Sequence, residues 1–177
     1  MTPDISPLTP HRKVLIVTGE ASGDLHGANL IRAAREIDPE LKFFGVGGPC
    51  MAEAGCEILI QGEEIAVMGL VEVIGHFPVI RRAFNRMKAL LCGPERPDAL
   101  VLIDFPEFNL RLAKVAKRAG VPVLYYVSPQ VWAWRRGRVR KIAAVVDRLA
   151  AIFPFEPELY RGLDIQVAYV GHPLLDE

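Results

Sequence analysis

The chain has 177 residues, of which 51% are hydrophobic and 24% are charged, enough for one domain with a sizeable core. Its 21 Lys and Arg residues balance 21 Asp and Glu residues, so the bulk charge does not indicate a nucleic-acid partner. Three cysteines without close pairing argue against a disulfide framework or a zinc site, and they favour a cytosolic protein.

The first ten residues are polar and rich in proline. They contain neither the basic nor the apolar region of a signal peptide, and residues 1–10 are predicted to form a flexible tail. No apolar run approaches the roughly 20 residues that a transmembrane helix needs. Residues 11–177 are expected to form the folded part of the chain.

Short apolar runs alternate with helical patterns along the rest of the chain. The strand-like runs are residues 13–17, 41–46, 99–104, 122–127, 147–153 and 165–170, with a weaker candidate at 56–61. The helical patterns cover residues 23–37, 108–120 and 136–146. Because the strand-like runs are nearly continuously apolar, both of their faces should be covered. The pattern predicts an α/β fold with a Rossmann-like, doubly wound, mainly parallel sheet that binds ligands at the carboxyl ends of its strands.

A glycine-rich turn, "GEASGDLHG" at residues 19–27, joins the first strand to the first helix. It lacks both the dinucleotide fingerprint G-x-G-x-x-G and the G-K-[ST] of a phosphate loop. Its carboxylates, Glu20 and Asp24, would repel a phosphate but suit the hydroxyl groups of a sugar. The alternative is helix capping, with Ser22 as the N-cap residue and Asp24 in the first turn. The buried face of this helix is predicted to carry Leu30, Ala33, Ala34 and Ile37.

Residues 65–91 combine apolar side chains at helical spacing with a basic cluster, and Pro78 is expected to start a second helix there. A buried helix explains the apolar stripe, and the pattern alone favours this core interpretation. Apolar side chains outside the stripe, next to basic residues, are typical instead of a membrane-interfacial element. The basic residues are Arg81, Arg82, Arg86 and Lys88.

Asp104 closes the apolar strand at residues 99–104, and Pro106 begins the helix that follows. A carboxylate at the carboxyl end of a parallel strand is well placed to remove a proton from a hydroxyl nucleophile. The alternative makes Asp104 a helix-capping residue. Asn109 and Arg111, on the helix, are either surface groups or supports for the site.

The stretch "SPQVWAWRRGRVRKI" at residues 128–142 follows a strand and contains two tryptophans and five basic residues. Tryptophans beside arginines suit a sugar face, a nucleobase or a membrane interface, and the positive charges form a local anion site. The alternative is a solvated basic helix with buried tryptophans. The basic residues are Arg135, Arg136, Arg138, Arg140 and Lys141.

Seven segments, from about His11 to the last residue, resemble the lipid-A-disaccharide synthases, which are inverting glycosyltransferases of lipid A biosynthesis. "SPQVWAWR" is the most specific part of the resemblance. The segments, in chain order, are "GEASGDLHGA", "VGGPCMAEAGCE", "AVMGLVEVIG", "IDFPEFNLRLAK", "YYVSPQVWAWRRGRVRKI", "FPFEPELY" and "VGHPLL".

The resemblance implies an enzyme with two Rossmann-like domains that face one cleft. Residues 11–177 would be the N-terminal, acceptor-side domain, and the C-terminal UDP-binding domain would be absent. The family joins UDP-2,3-diacylglucosamine to 2,3-diacylglucosamine 1-phosphate through a β-1,6 bond and releases UDP, without a metal ion or another cofactor. We expect this chain alone to be inactive and its open cleft wall to invite self-association. The alternatives are a non-catalytic membrane-binding module and a sugar-nucleotide epimerase on the same fold.

The resemblance also assigns site residues. It makes Asp104 the general base and His26 a weaker candidate for that role. The expected substrate-binding residues are Glu20, Ser22, Asp24, Asn109, Ser128, Gln130, Trp132, Trp134 and Arg135. It changes the preferred interpretation of the apolar stretch to membrane contact, at the cytoplasmic leaflet of the inner membrane of a Gram-negative bacterium. The expected membrane-contact residues are Met68, Val71, Val73, Ile74, Phe77, Ile80, Arg81 and Arg82.

Overall fold

Seven short apolar segments form one parallel sheet in the computed structural model, which describes residues 12–66, 73–127 and 137–173, without the side chains of residues 66 and 73–77. The strands are β1 (Lys13–Thr18), β2 (Lys42–Gly47), β3 (Cys56–Gln61), β4 (Ala99–Ile103), β5 (Val123–Tyr126), β6 (Arg148–Ala151) and β7 (Gln166–Tyr169). Their order is β3-β2-β1-β4-β5-β6-β7, and every neighbouring pair is parallel. The predicted Rossmann-like sheet is confirmed, and the weaker candidate at 56–61 is the edge strand β3.

Helices cover the sheet on both faces. They are α1 (Ala21–Ile37), α2 (Pro49–Glu53), α3 (Gly62–Ala66), α4 (Val73–Cys92), α5 (Pro106–Ala119), α6 (Gly137–Ala143) and α7 (Glu156–Leu159). One apolar core holds buried side chains of α1 and α2, and the other holds those of α4, α5 and α6. Neighbouring residues of the central strands alternate between the two cores, as Leu15 and Ile16 do. This two-sided burial explains why the strands are continuously apolar.

The strand order reverses between β1 and β4, and this point positions the candidate site. From β1 the chain moves outward to β2 and β3, and it then returns to β4 on the other side of β1. Thr18 at the end of β1 pairs in register with Ile103 at the end of β4. The two following loops therefore begin side by side at the carboxyl edge, where ligands bind in open α/β sheets.

The buried face of α1 agrees with the prediction in part, because Leu30 and Ala34 pack against the core. Ile37 is 88% exposed and Ala33 is exposed, whereas Gly23, Gly27 and Ile31 are buried against the sheet. The two glycines explain this choice, because they allow close approach. A Cβ atom at Gly23 would lie 1.9 Å from Oγ1 of Thr18, and one at Gly27 would lie 2.7 Å from a neighbouring methionine sulfur.

The predicted break at Pro78 is wrong, because α4 runs without interruption from Val73 to Cys92 with Pro78 inside it. Proline removes one intrahelical hydrogen bond, and tertiary packing of a long helix compensates for that loss. Beyond the proline, Met87 and Leu91 are fully buried in the core. Among the described residues, the structure contains no helix with both the length and the apolar character to cross a membrane.

Candidate functional site at the carboxyl ends of β1 and β4

The loops that follow β1 and β4 contact each other directly. Gly19 is buried beneath the ring of Phe105, and a Cβ atom at position 19 would lie 2.7 Å from Cγ of that ring. Glycine is required at this position because any larger residue would displace the aromatic ring. The contact fixes the β1 loop, which carries Glu20, next to the β4 loop, which carries Asp104.

The turn after β4 has an unusual backbone. Asp104 and Phe105 have φ angles of 47° and 48°, and Val127, which follows β5, has a φ of 54°. Non-glycine residues in this left-handed region cost on the order of 1–3 kcal/mol each. The N–H of Asp104 donates to the carbonyl oxygen of Val127 at 3.3 Å, so the two strained loops support each other.

Two buried side chains hold the carbonyl oxygen of Asp104. The hydroxyl of Tyr125 donates to it at 2.6 Å, and Nδ2 of Asn109 donates to it at 2.7 Å. Burial, with a smaller contribution from the Asp104 charge, raises the pKa of Tyr125, so its hydroxyl keeps the proton that it donates. The backbone of Asp104 is therefore fixed from β5 and from α5 before any ligand binds.

Asn109 has a different role from the expected one. Its side chain is 0% exposed, and its Nδ2 also faces the carbonyl oxygens of Ile103 at 3.2 Å and Val17 at 3.5 Å. A group buried in this way against three backbone carbonyls positions the ends of β1 and β4. The expectation that Asn109 binds substrate is corrected to a positioning role.

The carboxyl group of Asp104 lies at the surface of this edge with partial exposure. Burial raises the pKa of Asp104, and a hydrogen bond from the Phe105 N–H partly opposes this shift. A carboxylate with a raised pKa is a stronger base than an exposed one. The alternative role of Asp104 as a helix-capping residue is not supported. The N-cap residue of α5 is Phe105, and the first turn of α5 has no side-chain capping hydrogen bond.

The β1 loop presents two of its three expected polar residues to solvent. Glu20 is the N-cap residue of α1 by position, but its side chain makes no capping hydrogen bond, and it is exposed. Ser22 is also exposed and lies inside the first turn, because α1 begins at Ala21. The prediction that Ser22 is the N-cap is therefore wrong by two residues.

The buried carboxylate of Asp24 has a structural role. It is 6% exposed, and its carboxylate accepts backbone hydrogen bonds from Gly48 at 2.8 Å, Cys50 at 2.9 Å and Met51 at 3.1 Å. The carboxylate thus caps α2 from the neighbouring helix α1 and satisfies donors that this helix leaves free. These three bonds revise both the expected contact of Asp24 with a ligand and its expected role at its own helix terminus.

His26 is buried on α1, with its ring edge-on to Tyr126 at 6.4 Å between ring centres.

Ile80 is partly buried against the core, whereas Arg81 and Arg82 are exposed on α4. Val73, Ile74 and Phe77 belong to α4, but their side chains lie outside the description. The other expected site residues lie outside the described residues: Met68, Val71, Ser128, Gln130, Trp132, Trp134 and Arg135.

Tyr125 and Thr18 also lie at this edge of the sheet, and neither was predicted from the sequence as a site residue. Tyr125 interrupts an otherwise apolar strand with a hydroxyl, and a buried tyrosine normally requires a hydrogen-bond partner. That property could have identified it as a supporting residue. Thr18 ends β1 at 1% exposure, and its Oγ1 has no hydrogen-bond partner in the described part of the chain. No sequence pattern indicates this unsatisfied hydroxyl.

Comparison with known proteins identifies close relatives of the chain. The family model described as lipid-A-disaccharide synthetase matches residues 14–177. A lipid-A-disaccharide synthase from Syntrophotalea carbinolica is 78% identical over 166 residues, which cover 94% of this chain and 42% of the relative. A second, from Geobacter metallireducens, is 58% identical and covers 94% of this chain and 43% of the relative. This chain therefore spans less than half the length of these relatives.

A solved structure of a UGT transferase from Siraitia grosvenorii in complex with UDP is more distant. It is 16% identical, covers 75% of this chain and 30% of that chain, and has a TM-score of 0.44. At that level the likeness adds nothing to the assignment.

Proposed function

We propose, from the premise that this chain belongs to the lipid-A-disaccharide synthetase family, that it is the acceptor-side half of a glycosyltransferase of lipid A biosynthesis. The intact enzyme transfers 2,3-diacylglucosamine from UDP to 2,3-diacylglucosamine 1-phosphate and forms a β-1,6 bond. A second domain, corresponding to the part of the relatives that this chain does not match, supplies most of the UDP contacts. This division explains why carboxylates, rather than phosphate-binding groups, follow β1.

The observation that carries the proposal is the placement of Asp104 on a strained, doubly supported turn at the point where the strand order reverses. Its carboxylate removes the proton from the primary 6-hydroxyl of the acceptor as that oxygen attacks the anomeric carbon of the donor. The bond from that carbon to UDP breaks on the opposite face, so one displacement inverts the configuration. UDP leaves with the bonding electron pair and needs no protonating group.

Exposed groups of the β1 loop orient the acceptor. Glu20 follows Gly19, which packs against Phe105 of the Asp104 turn, and both Glu20 and Ser22 are exposed. Glu20, the N-cap residue, makes no side-chain capping hydrogen bond. An ionised carboxylate accepts hydrogen bonds from sugar hydroxyls, and the serine hydroxyl both donates and accepts. Residues Ser128, Gln130, Trp132, Trp134 and Arg135 complete the proposed substrate contacts.

The enzyme reaches its acylated substrates at the cytoplasmic surface of the inner membrane. The N-terminal part of α4, with the residues that precede it, inserts apolar side chains between lipids, and Arg81 and Arg82 contact the headgroups. The exposure of both arginines supports this arrangement. Ile80 contributes less than expected, because part of its side chain packs against the core.

A chimera tests the proposed activity. In this chimera, the present chain replaces the matching segment of the Syntrophotalea carbinolica relative, and the rest of that relative is kept. UDP release with the two diacylated substrates is measured for the chain alone, the chimera and the unaltered relative. We expect negligible turnover by the chain and turnover by the chimera close to that of the relative. An inactive, folded chimera beside an active relative would contradict the proposal.

A further inference from the structure

A groove of about 510 Å³ lies between α5 and α6, and its lining runs from Glu107 and Gly137, in the first turns of the two helices, to Val145. Leu110 and Val145 contribute apolar surface to it. Its volume falls in the range of ordinary ligand sites. We call it the α5–α6 groove, and neither the proposed sugar transfer nor the membrane segment uses it.

Four cations line the α5–α6 groove: Arg111 and Lys114 from α5, and Arg138 and Lys141 from α6. Among the described lining residues the one acid is Glu107, which forms an ion pair with Arg138. The other three cations have no ion-pair or hydrogen-bond partner among residues 12–66, 73–127 and 137–173. Two helices therefore present unneutralised positive charge to the same groove.

The three unpaired cations are exposed, and they line one groove from two different helices. Like charges on facing helices repel each other, and an anion held between them removes that repulsion. Arginine and lysine together suit a phosphate group, because the guanidinium donates a fork of hydrogen bonds and the ammonium adds a compact charge. The apolar side chains of Leu110 and Val145 suit carbon atoms attached to that phosphate.

We propose that the α5–α6 groove binds a phosphate group, and that this phosphate belongs to the headgroup of an anionic membrane lipid. The phosphate chemistry follows from the lining of the groove alone. The lipid source rests on the proposed function, because α4 packs beside α5 on the same face of the sheet and carries the proposed membrane segment. Membrane contact through α4 would bring headgroups to this face.

Vesicle binding by variants of the chain tests this site. The groove variant Lys114→Gln/Lys141→Gln is compared with Arg118→Gln/Arg140→Gln, which removes two exposed cations from the same two helices outside the groove lining. For vesicles that contain phosphatidylglycerol, we expect the groove variant to lose about tenfold in affinity and the control to lose far less. Vesicles of phosphatidylcholine alone should not distinguish the variants. An equal loss in both variants would overturn the proposed site.

Soluble phosphate distinguishes the source of the ligand. Backbone amide shifts of α5 and α6 are followed by NMR during titration with inorganic phosphate, at constant ionic strength in chloride. Weak, groove-localised shifts together with the vesicle result support the lipid headgroup. Tight phosphate binding without any preference for phosphatidylglycerol vesicles would overturn the lipid source. No groove shifts and no difference between the vesicle variants would overturn the site itself.

The replacement of Val71, Val73, Ile74 and Phe77 by Ser separates this inference from the proposed membrane function. If the serine variant loses vesicle binding while the groove variant keeps it, the membrane segment stands and the groove proposal fails. If only the groove variant loses binding, the groove proposal stands and the membrane role of α4 fails. Circular dichroism confirms that each variant is folded.

Discussion

The hydroxyl of Tyr125 donates a 2.6 Å hydrogen bond to the main-chain carbonyl oxygen of Asp104. This bond ties the end of β5 to the strained turn after β4, so a fully buried residue controls the orientation of a partly exposed carboxylate. Tyr125→Phe removes the bond but keeps the ring. We expect a stability loss of about 1 kcal/mol, the usual value for one hydrogen bond. In the chimera, we also expect a lower kcat with little change in KM. An unchanged kcat beside reduced stability would make Tyr125 purely structural.

Asn109→Asp should be more damaging than its size suggests. The substitution keeps the shape of the side chain but places a carboxylate oxygen against the backbone carbonyls that now accept from Nδ2. A buried, unpaired polar group costs about 1–3 kcal/mol, and a charged group costs more. Denaturant unfolding measures the loss. The matched control is Asn85→Asp on the exposed side of α4, which should remain within about 0.5 kcal/mol of the parent.

Substitutions of Asp24 and Ser22 test which of these two residues stabilises a helix terminus. Asp24→Asn replaces one of the two oxygens that cap α2, and we expect a stability loss of about 1–3 kcal/mol. Ser22→Ala should remain within about 0.5 kcal/mol of the parent, because Ser22 is exposed and is not the N-cap. If Ser22→Ala instead costs about 1 kcal/mol, the typical value for a lost N-cap, the observed start of α1 is contradicted.

The raised pKa of Asp104 couples function to stability. Burial disfavours the ionised form in the folded chain, so stability falls as the pH rises from the ordinary aspartate pKa to the raised one. Above that window, Asp104→Asn should unfold at a higher temperature than the parent, and below it the difference should vanish. Thermal melting at a series of pH values measures this. A variant that is less stable at neutral pH would indicate that the carboxylate makes a net stabilising contact.

Serine substitutions in the proposed membrane segment test whether its apolar side chains contact lipid or belong to the core. The replacement of Val71, Val73, Ile74 and Phe77 by Ser should leave the melting temperature nearly unchanged and weaken sedimentation with anionic liposomes. The control is Met87→Ser, in the buried half of α4, which should cost about 2–5 kcal/mol. If the fourfold variant unfolds, these residues are core residues, and the first interpretation of the apolar stripe was correct.

The sequence predicted the sheet well because burial on both faces produces continuous apolar runs. It predicted the edge strand β3 only weakly, because several residues of that strand are partly exposed. The buried face of α1 was predicted only in part, because Leu30 and Ala34 pack against the core but the glycines on that face carry no hydrophobic signal. Small residues such as Gly23 and Gly27 determine it through close approach to the sheet.

The position of Asp104 at the carboxyl edge could be predicted from the chain order of strand, aspartate and Pro106. Its distant partner could not, because Tyr125 reaches the turn only when β5 pairs with β4, whereas Asn109 reaches it from the first turns of α5. Asp24 illustrates the same limit. A carboxylate in the first turn of a helix is expected to interact with the amides of that same helix. In the folded chain, the Asp24 carboxylate instead accepts hydrogen bonds from amides at the start of α2.

Turnover of the chimera with Asp104→Asn tests the central claim most directly. The matched control is Asp98→Asn at the opposite end of β4, where the carboxylate accepts a hydrogen bond from the Lys13 N–H at 2.8 Å and an amide oxygen can replace it. We predict that Asp104→Asn lowers kcat by about 10²–10⁴-fold, as expected for a lost general base, while Asp98→Asn keeps the parental rate. Parental turnover by a folded Asp104→Asn chimera would contradict the assignment of Asp104 as the base.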